Sequence, residues 1–229
     1  MGSKKGSLQR VIPSHSWIPL LLVLLVGVLT YYGTRFLNTG RVHHTVAIAL
    51  DDAIPFVPFF IYFYILAFAQ WGLGFITVLR SPEETTYYYV SSYFYVSLIA
   101  TICFLLYPTA IERPEVTGSG LTNDLVRMIY QADLAGDNLL PSLHCADCWL
   151  SLRVTLSNEK SPKWLKIGDF IFVLGVFASV VLVKQHYVVD IPTGFLLAEL
   201  GLWLARVTPL PRLLGGINAK LRKKGWLPA

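Results

Sequence analysis

Long apolar segments separated by short polar connections dominate the chain. Three of these segments, 17–37, 54–79 and 87–107, contain no Asp, Glu or Lys, and their only Arg, Arg35, lies near the end of the first. A helix of about 20 apolar residues crosses the hydrocarbon core of a bilayer, which is about 30 Å thick. The three segments are therefore predicted to be membrane-spanning helices.

Three later segments, 139–156, 167–183 and 188–207, are also apolar but carry titratable residues. A charged or polar side chain at membrane depth is costly and requires a partner or a function. We therefore predict an all-α integral membrane protein, a single membrane domain over 1–229 with six transmembrane helices. Its first half serves as an anchor and its second half carries the function. The titratable residues are His144, Asp147, Arg153, Asp169, Asp190 and Glu199.

The longest polar connection, 112–138, separates the third and fourth predicted spans. Leu121, Leu125, Met128 and Ile129 within it follow the spacing of one face of an amphipathic helix. This pattern predicts a short helix lying in the membrane interface. Such a helix either caps its own loop or covers a substrate as a lid.

Composition supports a membrane location and gives a topology. Hydrophobic residues make up 54% of the chain and charged residues 14%, whereas soluble domains carry about 25% charged residues. With a cytoplasmic N-terminus, fourteen of the 19 Lys and Arg residues lie on the inner side, as the positive-inside rule requires. The net charge of +5 thus reflects topology, and no nucleic-acid partner is expected. The small size and the lack of an Asn-x-Ser/Thr sequence favour a bacterial plasma membrane.

Candidate catalytic residues cluster at the outer ends of the predicted spans. Arg113 follows the third span, His144 begins the fourth, and His186 and Asp190 begin the sixth. Residues four apart share one face of a helix, so Asp190 can fix the tautomer of His186 and leave its other ring nitrogen free to attack. These side chains are therefore predicted to meet on the outer face.

An anion-binding element accompanies the histidines. Pro141 and Ser142 precede His144, and free backbone N–H groups in the first turn of a helix attract anions. The guanidinium of Arg113 is a forked donor suited to phosphate oxygens. Two histidines, a carboxylate and an anion cradle are the groups that phosphoryl transfer through a phosphohistidine requires.

These segments resemble the signature of the type 2 phosphatidic acid phosphatase superfamily, the lipid phosphate phosphatases. That family combines a first motif ending in Arg-Pro, a second containing PSxH and a third of the form SRxxxxxHxxxD. The matching positions lie within 107–199 and are Arg113-Pro114, Pro141-Ser142-Leu143-His144, and Ser179 with His186 and Asp190.

The resemblance implies a metal-independent lipid phosphatase without cofactors, acting on a phosphate monoester or pyrophosphate of a membrane lipid. His186 would be the nucleophile and Asp190 would orient it. His144 would protonate the leaving alkoxide and later assist the attack of water. The positions implied to hold the phosphate oxygens are Arg113, Ser142 and Leu143.

Two positions depart from the family pattern. Leu106 and Val180 replace a Lys and an Arg, and Lys184 is a candidate replacement for one of these cations. The segments 184–187 and 107–109 are similar to the branch of sphingomyelin and inositol phosphorylceramide synthases, which transfer a phospho-headgroup to a lipid alcohol. Hydrolysis is the leading expectation and headgroup transfer the alternative. A non-catalytic membrane protein or a transporter is the second alternative.

Other polar residues allow two interpretations each. Arg153 and Glu199 both lie nine residues below a site residue, about 13 Å deeper in the membrane, and are hypothesised to form an ion pair; alternatively, Arg153 extends to the inner interface.

Asp147 is a candidate to orient His144, or else a polar residue facing the bundle core. An outer-surface metal site or an ordinary interfacial loop would account for His43, His44, Asp51 and Asp52.

Overall fold

A computed structural model describes residues 12–133 and 136–226. The cations Lys4, Lys5 and Arg10, which contribute to the predicted topology, lie outside these residues. The described chain is helical, and its only β-structure is two isolated bridges. Its helices are α1 (Ser14–Asn38), α2 (Ala49–Ala53), α3 (Pro58–Leu79), α4 (Glu83–Leu106), α5 (Leu121–Ala132), α6 (Leu143–Ser157), α7 (Lys163–Leu182), α8 (Asp190–Val207) and α9 (Leu210–Lys223).

Four helices, α1, α3, α4 and α7, are long and apolar enough to cross a membrane. Only 11% of the most apolar part of α1 and 17% of that of α3 is buried against the rest of the protein. Leu21, Leu25 and Leu73 are among the exposed side chains on these two helices. Apolar surface of this extent requires an apolar solvent, which indicates a membrane protein.

The two remaining predicted spans, 139–156 and 188–207, correspond to α6 and α8 but do not meet the same criteria. Helix α6 has 15 residues and is about 22 Å long, shorter than the hydrocarbon core. Helix α8 has 18 residues and includes Asp190, Glu199 and Arg206. The prediction of six spans is therefore not confirmed by length and composition, which support four.

Helix α4 lies at the centre of the bundle and packs most extensively on α8. The close approach depends on Gly201, where a Cβ atom would lie 2.8 Å from the carbonyl oxygen of Ser92 on α4. Helix α6 packs against α3, α7 and α8. The helices that carry the candidate site are thus held in the interior of the bundle.

An ion pair connects α6 to α8. Nη1 of Arg153 lies 2.6 Å from Oε1 of Glu199, and Nε1 of Trp149 donates to the same oxygen at 2.6 Å. About one third of each charged side chain is exposed to the surroundings of the protein, 36% for Arg153 and 33% for Glu199. The pair is therefore half-buried between α6 and α8.

We expect Arg153→Met and Glu199→Gln each to lower the free energy of unfolding in mixed micelles, because each leaves a charged or polar group without its partner. The double variant should lose less than the sum of the two, with a coupling energy of about 1–2 kcal/mol. Arg206→Met on α8, an exposed side chain without an ion pair among the described residues, is the control and should change little. If the losses in the free energy of unfolding are strictly additive, the ion pair contributes nothing to stability.

Candidate active site

The site forms where α6 and α8 begin side by side. Gly194 in the first turn of α8 packs directly on the carbonyl of Ser142, and a Cβ at this position would lie 2.9 Å from Cβ of Cys145. Ser142 is the N-cap of α6, and its Oγ accepts a hydrogen bond from the backbone N–H of Cys145 at 3.2 Å. The N-termini of the two helices therefore meet in one region. The backbone N–H groups of Asp190, Ile191 and Thr193 in α8 are already hydrogen-bonded, so the free N–H groups here are those in the first turn of α6.

His186 lies in the turn between α7 and α8. The predicted helix through both His186 and Asp190 is wrong, because α8 begins only at Asp190. The two side chains nevertheless meet: Nδ1 of His186 is 3.1 Å from Oδ2 of Asp190, which also accepts from the backbone N–H of Tyr187 at 2.9 Å. Asp190 is completely buried, so the turn and the carboxylate fix each other.

This geometry sets the tautomer of His186. A carboxylate only accepts hydrogen bonds, so Nδ1 carries the proton and Nε2 keeps its lone pair. Nε2 lies 3.3 Å from Oγ of Ser142. The Ser142 hydroxyl thus donates to His186 while it accepts from Cys145. The chain Asp190–His186–Ser142 presents one unprotonated ring nitrogen at the start of α6.

His144 is fixed by aromatic rings from α3. Its imidazole stacks on Tyr64 with a centroid distance of 4.0 Å and an interplanar angle of 12°, and Trp71 contacts it edge-on at 4.6 Å. Its Nε2 atom is buried and has no hydrogen-bond partner within the described chain. The ring is therefore oriented by packing, with an unused nitrogen.

A cavity of about 540 Å³ contains both histidines in its wall. Helices α1, α3, α5 and α6 contribute apolar side chains, including Val23, Phe68 and Trp71. Polar groups line the rest of the wall, so the cavity is amphipathic and large enough for a phosphorylated ligand of moderate size. These polar residues are Tyr31, Asp133, Asp137, Asn138, Asp147 and Gln185.

Arg113 lies behind this wall. Its Nη2 donates to the carboxylate of Asp133 at 2.5 Å and to Oε1 of Gln185 at 2.8 Å, and its Nη1 donates to the carbonyl oxygen of Asp133. Its Nε atom is buried without a partner in the described residues. The structure thus brings Arg113 next to the segment that carries His186, with one donor unused.

Arg35 completes a charge cluster around Asp133. It binds the same carboxylate and also lies 2.9 Å from Asp137. Burial alone would raise the pKa of Asp133, but the charges of Arg113 and Arg35 outweigh it and hold the pKa below its usual range. Burial raises the pKa of Asp137 despite Arg35. Sequence reasoning missed this cluster because Arg35 and Asp133 are 98 residues apart and no local pattern connects them.

Lys184 is not brought to the cavity. Its Nζ donates to the carbonyl oxygens of Asp51 at 2.9 Å and Ile54 at 2.7 Å. Oδ1 of Asp51 in turn accepts from the backbone N–H of Val188 at 2.7 Å. The two interactions hold the chain on both sides of His186 against α2 and the residue that follows it. This positioning role of Asp51 has no signal in the sequence.

The remaining candidate residues are His43, His44, Asp52 and Asp147. His44 stacks on Tyr107 with a centroid distance of 4.5 Å. Residues 12–133 and 136–226 contain no group of three or more His, Cys, Asp or Glu side chains placed to hold a metal ion, including at His43 and Asp52. Asp147 accepts no hydrogen bond from His144, which it was a candidate to orient, and its Oδ1 is buried without a partner in the described chain.

No family model, curated protein or solved structure matches the chain. The chemical interpretation of the site therefore rests on its residues and their geometry. An unprotonated imidazole nitrogen, a second imidazole in the same cavity and a neighbouring guanidinium donor form a set that can perform nucleophilic and acid–base chemistry.

We expect Asp133→Asn to lower the free energy of unfolding by about 3 kcal/mol, because two guanidiniums lose their shared carboxylate. Asp124→Asn, which removes the exposed partner of Arg127, is the matched control and should cost less than about 1 kcal/mol. Unfolding in mixed micelles measures both.

The pH dependence of this difference has a definite sign. The pKa of Asp133 is lower in the folded protein than in the unfolded chain, so its stabilisation is complete above the ordinary carboxyl pKa. The difference between wild type and Asp133→Asn should shrink as the pH falls through the lowered value. A difference that grows on acidification, or equal losses in the two variants, would contradict the proposed cluster.

Proposed function

We propose that this chain is a membrane-embedded, metal-independent lipid phosphatase of the type 2 phosphatidic acid phosphatase kind, with His186 as its nucleophile. One observation carries the proposal: Asp190 holds Nδ1 of His186, so that Nε2 remains unprotonated beside Ser142, while His144 lines the same cavity. The order of Arg-Pro, PSxH and HxxxD along the chain supports the same assignment.

The reaction proceeds in two displacements. Nε2 of His186 attacks the phosphorus atom, the bond from phosphorus to the lipid oxygen breaks, and protonated His144 gives its proton to the leaving alkoxide. His144, now neutral, accepts a proton from water, whose oxygen attacks the phosphohistidine and releases inorganic phosphate. Asp190 stabilises the positive charge that His186 carries in the intermediate. Both histidines return to their initial states.

The phosphate is held mainly by neutral donors in this proposal. The Ser142 hydroxyl and the first N–H groups of α6, at Leu143 and His144, lie at a helix N-terminus, where anions are stabilised. Arg113 donates to the phosphate through its unused Nε, and the phosphate replaces part of the contact between Arg113 and Asp133. Lys184 is omitted from the phosphate ligands, because its ammonium already binds two carbonyl oxygens.

We place the site at the outer face of six membrane helices, α1, α3, α4, α6, α7 and α8, with α5 in the interface. Alternation of direction along the chain brings the end of α4 and the starts of α6 and α8 to one side. The positive-inside distribution supports an exterior location of that side and a cytoplasmic location of both termini, in what we propose to be a bacterial plasma membrane. The lipid substrate then reaches the cavity from the outer leaflet.

The first experiment is phosphate release from a panel of lipid phosphates by detergent-purified protein in the presence of EDTA. We expect release by wild type and a loss of at least about 10³-fold in His186→Ala, since the nucleophile is removed. His43→Ala, which lies outside the cavity lining, is the matched control and should retain activity.

Two other outcomes have distinct meanings. Headgroup appearing on an added lipid alcohol, without release of phosphate, would replace hydrolysis by transfer, the alternative that the segments 184–187 and 107–109 support. Neither product from wild type, or full activity in His186→Ala, would refute the proposed mechanism.

Gly194→Ala tests whether the spacing of α6 and α8 sets the rate. The added Cβ meets the Ser142 carbonyl and Cys145, so it should displace Ser142 from His186 and lower kcat by at least about 10-fold. Gly201→Ala is the matched control: its Cβ also meets backbone, at Ser92 of α4, but seven residues deeper in α8. Thermal unfolding of both variants separates lost stability from lost geometry. Equal kcat values in the two variants would show that the spacing at Gly194 has no special role.

A further inference from the structure

A second cavity of about 320 Å³ adjoins the histidine cavity. Apart from the residues common to both cavities, its wall is formed mostly by apolar side chains of α3, α4 and α6, such as Phe75, Val90 and Leu150. The two cavities thus form a polar compartment followed by an apolar one. Their common residues are Val23, Phe68, Trp71, Tyr93 and Asp147.

Asp147 is the only charged residue of this common wall. It lies on α6 three residues after His144, which places it about 4.5 Å further along the helix axis. Its Oδ1 atom is shielded from solvent and has no hydrogen-bond partner among the described residues. The phenol of Tyr93 supplies the other polar group at this junction.

An unpartnered carboxyl oxygen in apolar surroundings is destabilising. Within the described residues, Oδ1 of Asp147 accepts no hydrogen bond from His144, from Tyr93 or from any other group. A ligand that spans both compartments would pass this oxygen on its way from the phosphate site to the apolar cavity. A hydrogen-bond donor on that ligand would pair with Oδ1 of Asp147 and remove the free-energy cost of leaving it unpaired.

We propose that Asp147 is a specificity-determining residue that recognises a hydrogen-bond donor next to the phosphate ester of the lipid. The donor is a hydroxyl or an amide N–H on the carbon that follows the ester carbon. This inference rests on the proposed function, because the phosphate must lie at His186. Three covalent bonds separate the ester oxygen from this donor, a distance of about 3.8 Å in an extended chain. The axial distance of about 4.5 Å from His144 to Asp147 therefore leaves the donor within hydrogen-bonding reach of Asp147.

The proposal selects among classes of lipid phosphate. Monoacylated glycerol phosphates carry a free hydroxyl there, and N-acylated amino-alcohol phosphates carry an amide N–H. Polyisoprenoid phosphates present only hydrocarbon beyond the ester oxygen, so they leave Oδ1 unpaired and are poor substrates. The hydrocarbon tail in each case occupies the apolar cavity lined by Phe75 and Leu150.

Two matched substrate pairs test the proposal with detergent-purified full-length protein. The first is 1-oleoylglycerol 3-phosphate against 3-oleoyloxypropyl phosphate, which lacks only the hydroxyl. The second is N-oleoylethanolamine phosphate against 2-oleoyloxyethyl phosphate, which replaces N–H by oxygen. We expect wild type to prefer the donor in at least one pair by about 10- to 100-fold in kcat/KM, and the pair that responds identifies hydroxyl or amide.

Variants of Asp147 test whether this side chain causes the preference for the donor substrate. Asp147→Leu should abolish this preference, because kcat/KM falls at least about 10-fold more for the donor substrate than for its donor-free partner, and thermal unfolding in the same detergent shows that the variant is folded. Asp147→Asn keeps a carbonyl acceptor and should retain part of the preference. Asp169→Asn, on α7 and outside both cavity walls, should behave as wild type.

The results separate the two levels of inference. Equal kcat/KM values within both pairs for wild type, or an undiminished preference in Asp147→Leu, would overturn the role of Asp147 while phosphate release still supports the phosphatase. No release from any of the four substrates or from the wider panel of lipid phosphates would overturn the proposed function itself.

Discussion

The close contact between Gly194 and the Ser142 carbonyl determines the geometry on which the site depends. It allows the first turns of α6 and α8 to lie against each other, so that the residue preceding α6 reaches the ring of His186. Asp190, the first residue of α8, then bonds the same ring from the other side. A side chain larger than hydrogen at position 194 would separate these groups although none of them is altered.

Most of the cations on the site's side of the bundle have structural partners. Arg35 and Arg113 share Asp133, Arg127 binds Asp124, and Lys184 donates to carbonyl oxygens at the end of α2. Ion pairs lower the cost of polar groups near an apolar medium. Hydrogen bonds from Arg113 to Gln185 and from Lys184 to two carbonyl oxygens also hold the segment around His186 in place. In the proposed function, the donors left for an anion are therefore the first N–H groups of α6, the Ser142 hydroxyl and the unused Nε of Arg113.

The sequence predicted the helices better than the site. The apolar segments marked all six long helices to within a few residues, and the spacing of Leu121, Leu125 and Met128 marked α5. The pairing of His186 with Asp190 followed from four-residue spacing, although the turn that achieves it did not. Asp51 and Asp133 were missed because their partners are distant in the chain, and hydrophobic periodicity holds no information on such contacts. For the same reason, Arg113 was assigned to phosphate without its partner Asp133.

The length of α6 has a consequence for the surrounding lipid. In the proposed six-span arrangement, a helix of about 22 Å crosses a hydrocarbon core of about 30 Å. Such a mismatch is relieved when the bilayer thins locally around the short helix. The outer headgroup layer then dips towards the start of α6, where His144 lies. Under the proposed function, a phosphorylated lipid would reach the histidines at the depth of its own ester bond and would need no extraction from its leaflet to react.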